Sequence, residues 1–94
     1  MTTPAASPVP PGVAQELGRV VQRWQQLPLD HALRCVPAVR LVLDHLTPEG
    51  LPEVPDLGPA VVMDQLTVLV YDTCRDGGAA GLEDVLADLR RSLA

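Results

Sequence analysis

Four stretches of the chain repeat apolar side chains at helical spacing, and proline- or glycine-rich segments separate them. The first predicts a helix over 12–27. At about 100° per residue Val13, Leu17, Val20, Val21, Trp24 and Leu27 fill one sector, with Ala14 at its margin. Gln15, Arg19, Gln22 and Gln26 take the other side. This is a one-sided surface helix, and Pro28 ends it.

The second stretch, LDHALRCVPAVRLVLDHL, predicts a helix over 29–46. Leu33, Val36, Val39, Leu43 and Leu46 form a seam, and Cys35, Ala38, Leu41 and Val42 widen it around the cylinder. Asp30, Pro37, Arg40 and Asp44 share the polar side. A helix apolar over most of its circumference is a buried one, so this element is expected at the centre of the fold. Pro37 removes the bond to the Leu33 carbonyl and pushes Val36 away from helical angles. A kink at Pro37, or a break into 29–35 and 37–46, is the expected result.

TPEGLPEVPDLGP follows over 47–59, with four prolines, two glycines, three acids and no periodicity. It reads as an extended loop, long for a bundle connection, that crosses the bundle end with Leu51, Val54 and Leu57 as lids. A third helix is predicted over 59–76, with Pro59 in its first turn and Val62, Met63, Leu66, Leu69, Val70 and Cys74 facing the core. DGGAAG, Asp76–Gly81, ends it and makes a turn. A fourth helix over 81–93 carries the stripe Leu82, Val85, Leu86, Leu89, Leu93, with Glu83, Asp84, Asp88 and Arg91 facing out. Its early acids and late arginines suit the helix dipole.

The pattern predicts an all-α fold: a small antiparallel four-helix bundle occupying 12–94, behind a disordered arm over 1–11 that holds four of the ten prolines. Ninety-four residues make one domain with a modest core. Trp24 and Tyr71 are the only aromatics, so that core is Leu, Val and Ala. Three one-sided helices leave the second incompletely covered, and dimerisation is expected to complete the bundle.

Charge narrows the function classes. Twelve acids face seven arginines, for a net −5, and the basic residues form no cluster beyond the pairs Arg19 with Arg23 and Arg90 with Arg91. Nucleic acid and anionic membrane surfaces are poor partners for such a chain. Charged residues break every apolar run well short of the roughly 20 residues a membrane span needs. The first residues, MTTPAASPVPPG, carry no basic residue and no hydrophobic segment, so no secretory signal is read there. With two cysteines, that predicts reduced thiols in a cytoplasm.

His31 and Cys35 stand i, i+4, a spacing that grips a metal ion from two successive turns, and Cys74 is the available third ligand. His45 lies about 21 Å along an ideal helix from His31 and cannot share the ion. No CxxC, HxxH or HExxH occurs, and a cysteine near a helix C-terminus is a poor nucleophile. His31, Cys35 and Cys74 therefore stay as candidates for a metal or thiol site, while no metal, cofactor or catalytic residue is assigned and no enzymatic activity is expected. The acid pairs Glu83 with Asp84 and Asp72 with Asp76 read as solvated surface.

Val61 and Val68 remain. They are seven apart on the third helix, opposite its core side, with Gln65 and Tyr71 beside them. A wider core is one explanation. The other is an interface of Val61, Gln65, Val68 and Tyr71, in a protein-interaction module: a small acidic adaptor, regulator or accessory subunit that forms a homodimer or takes a protein partner. An alternative is a small apolar ligand held between the second and third helices among Val, Leu, Met63 and the cysteines.

Overall fold

The computed structural model describes residues 7–94. Four helices follow one another: α1 (Pro11–Gln26), α2 (Leu29–Leu46), α3 (Val62–Arg75) and α4 (Leu82–Ser92). No strand occurs among the described residues. The fold is a small all-α four-helix bundle. Of the arm expected over 1–11, residues 1–6 lie outside the described residues. Pro11 opens α1, and Val9 packs against the core.

Prolines set the first three boundaries. Pro10 is extended at ψ 151°, and Pro11 takes the first helical position, where a missing N–H costs nothing. Leu27 and Pro28 are both extended and separate α1 from α2. α3 starts three residues later than the sequence pattern predicts. Asp56 commits its carboxylate to the Gly58 N–H at 3.1 Å, and Gly58 takes the left-handed φ of +88°. The chain therefore turns through Pro59–Val61 before the helix begins. α3 ends in a Schellman motif: Gly78 N–H bonds the Thr73 carbonyl at 2.8 Å and Gly77 N–H bonds that of Cys74 at 3.1 Å. Gly77 has φ +88°, which only glycine adopts without strain.

α2 runs as one helix through Pro37, not as two. Pro37 and Leu33 both face solvent, so water can meet the carbonyl the proline leaves unbonded. Val36 and Val39, on either side, are buried and tie both halves to the core.

α1 packs chiefly on α4, and α2 on α3; α2 with α4 and α1 with α3 join the two pairs. Along the first pair Gly12 lies against Glu83 and Glu16 against Arg90. The contacts rise together, so α1 and α4 advance in the same sense, a departure of this pair from antiparallel alternation. The core is aliphatic. Val20, Val39, Leu43, Leu66, Val70, Leu86 and Leu93 are fully buried, with Trp24 and Met63 at its margin.

α2 is not the enclosed central helix that its composition predicts. It buries Ala32, Val36, Val39 and Leu43, at i, i+4, i+7 and i+11, and leaves Leu29, Leu33 and Leu41 exposed. Because α1 settles on α4, the outer flank of α2 has no helix to cover it. The connector also differs from expectation. It doubles back along α2, where Arg40 Nη2 donates to the Val54 carbonyl at 3.1 Å and meets Glu53 at 3.4 Å. Val54 packs on the core, whereas Leu51 and Leu57 stay exposed and are not buried as lids.

Candidate functional site

The candidate metal and thiol residues do not converge. His31 and Cys35 are half-buried on α2, His45 is exposed near the end of that helix, and Cys74 is buried in the last turn of α3. Among the described residues no three His, Cys, Asp or Glu side chains are placed to hold a metal ion. Burial pushes the Cys74 thiol above its ordinary 9.0, which disfavours the thiolate a nucleophile needs.

The candidate interface residues are split by the way α3 begins. Val61 belongs to the turn before the helix and is half-buried, as is Gln65. Val68 and Tyr71 are exposed, at 59% and 46%. The same helix buries Val62, Met63, Leu66, Val70 and Cys74, so its two faces are distinct. The doubled-back connector lies beside the outer face, where Gln65 Nε2 donates to the Pro55 carbonyl at 3.0 Å. Val54, Asp64, Gln65, Val68 and Leu69 together line an open, largely apolar groove of about 330 Å³. Gln65 Oε1 is buried there without a donor.

Two other hollows open on the surface. One, of about 310 Å³, lies between the C-terminal ends of α2 and α3, lined by Leu46, Leu51 and Leu69 with Asp72, Thr73 and Arg75 at its polar side. The other, of about 460 Å³, runs over α1 at Leu17, Gly18 and Val21. None of the three is lined by Met63, Cys35 or Cys74.

The connector's part in the groove was hidden in the sequence, because Val54 sits in a segment without periodicity. Glu16 is the other residue that sequence reading missed. It is buried in the α1–α4 seam. Arg90 Nε donates to its Oε2 at 2.8 Å, and Arg19 Nη1 to its Oε1 at 3.2 Å. A signal existed. Glu16 lies three residues after Val13 and four before Val20, on the edge of the apolar sector.

Among the described residues no helix is long and apolar enough to cross a membrane. Compared with protein-family models, curated proteins and solved structures, the chain matches none of them.

Proposed function

We propose that the protein is a non-enzymatic interaction module of the cytoplasm, a small acidic adaptor, regulator or accessory subunit that binds a second copy or another protein through its outward helix faces. One observation carries this reading: Val68, which lines the Val54–Leu69 groove, and Tyr71, about one turn further along α3, stand exposed on a helix whose other side is committed to the core. Exposed apolar side chains are ordinary when scattered, but a groove with apolar rims concentrates them where a partner's side chains gain most from leaving water. Sedimentation across a concentration series tests self-association. The expected result is an assembly that Val68→Asp with Tyr71→Asp dissolves while helical circular dichroism is kept. A chain that stays monomeric throughout, and binds no peptide at this groove, would refute the module.

The hollow at the ends of α2 and α3 favours a second reading, a small apolar ligand, since its roughly 310 Å³ sits at the lower end of ligand-site volumes. Native mass spectrometry of freshly purified protein tests it. A bound compound of defined mass, lost on Leu51→Asp, supports a ligand site; a bare chain counts against it.

A further inference from the structure

The groove on α3 is one-sided in charge. Asp64 is its only ionised lining residue, and among the described residues no arginine or histidine lies within ion-pair distance of it. The connector beside it adds Asp56, whose carboxylate accepts the Gly58 N–H, and Glu53, which shares a 3.4 Å contact with Arg40 and is otherwise exposed. Of these acids only Glu53 is offset by a cation, Arg40, which also donates to the Val54 carbonyl. Arg75, further along α3, is held by Asp72 at 3.5 Å and Asp76 at 3.4 Å. Across the described residues every arginine but Arg23 is engaged with an acid of this chain, and Arg23 is half-buried on α1. Asp44, Glu49, Asp56, Asp64, Glu83 and Asp84 have no such partner.

We propose that this groove receives a cationic amphipathic helix of a partner protein. The inference rests on the interaction reading and names the partner's chemistry. An apolar anchor enters between Val54, Val68 and Leu69, and a lysine or arginine one turn away on the same helix face meets Asp64. A groove of about 330 Å³ admits anchoring side chains and leaves the helix backbone outside, the usual form of helix-in-groove recognition. A second copy of this chain fits less well. It brings another net −5 and a single uncommitted guanidinium. Like net charges oppose that encounter, whereas a basic helix is drawn to it.

Fluorescence anisotropy with three labelled synthetic peptides tests the proposal on the full chain: an amphipathic leucine–lysine helix, a matched leucine–glutamate helix, and a lysine–serine peptide with the cations but no apolar face. The expected result is binding of the leucine–lysine helix alone, weakening as salt rises. Val68→Ser should weaken it about tenfold, as expected for losing one buried aliphatic anchor. Asp64→Asn should weaken it about two- to fivefold at low salt. Both side chains are exposed, so circular dichroism should be unchanged, and Leu33→Ser on α2 should leave binding as it was. Equal binding of either control peptide overturns the proposal, as does leucine–lysine binding that ignores both Val68→Ser and Asp64→Asn. If the leucine–lysine helix does not bind but the chain forms a dimer that Val68→Ser dissociates, the interaction reading stands and this inference falls. If neither peptide binding nor such a dimer is found, both fall.

Discussion

Glu16 and Arg90 are 74 positions apart in the chain and joined by a guanidinium–carboxylate contact at 2.8 Å, with Arg19 closing on the same carboxylate at 3.2 Å. The Arg90 hydrogen bond holds the Glu16 carboxyl below its ordinary 4.5, against burial that pulls it up, and the charges of Arg90 and Arg19 add to the lowering. The unfolded chain therefore takes up this proton more readily than the folded one. The stabilisation is present above the ordinary value and is lost as pH falls through the lowered one. Thermal melts from neutral pH down to strongly acidic buffer should show the wild type losing stability below about pH 4.5 more steeply than Glu16→Gln, with the curves converging in acid. Parallel curves would detach Glu16 from the effect.

Burial sorts the leucines more sharply than composition does. Leu66 is fully enclosed, so Leu66→Ala should cost about 2–5 kcal/mol in urea unfolding. Leu41 is 71% exposed, so Leu41→Ala should change stability by no more than about 0.5 kcal/mol. A domain of this size has only about 5–15 kcal/mol in hand, so the first variant should be visibly unfolded at modest denaturant.

Trp24 ties α1 to the approach to α3: its indole N–H donates to the Pro59 carbonyl at 3.1 Å. Trp24→Phe keeps much of the ring but strands that carbonyl, at a cost of about 1–3 kcal/mol. As the single tryptophan, Trp24 should also emit at short wavelength in the native state and shift red in one step as the bundle unfolds.

Gln65 buries an acceptor that finds no donor, against one amide N–H well bonded to Pro55. Gln65→Leu removes a bond of about 1 kcal/mol together with an unsatisfied group costing about 1–3 kcal/mol. The variant should melt at or above the wild-type temperature. A clear drop would mean that the bond to Pro55 anchors the connector more strongly than its geometry suggests.

The two thiols should separate in a timed reaction with a disulfide reagent. Cys35 is half-buried and should react in the native protein; Cys74, buried and with its thiol pushed up, should wait for unfolding. Equal fast rates would show that the end of α3 opens readily.

The helices were legible because apolar positions recur at helical spacing in each, and two of the boundaries because Pro28 and the Gly77–Gly78 pair have conformations that few other residues match. Which helix packs on which was not legible. Periodicity gives a face but not its partner, so the apolar width of α2 suggested a centre where the chain has a flank. The candidate surface was half legible. Val68 and Tyr71 stood out as apolar positions on a polar side, whereas the contribution of Val54 depends on the connector doubling back. Val61 precedes the first residue of α3 because the left-handed turn at Gly58 delays the helix, whereas the residue pattern is read as starting at Pro59.

The pairing of the first helix with the last has a consequence for the protein's birth. Emerging from the ribosome, α1 lacks the main partner for its Val13–Val20–Trp24 stripe until α4 has been made. The nascent chain must carry much of that oily ridge uncovered while the intervening segments are synthesised, an interval in which chaperones and stray aggregation compete for it.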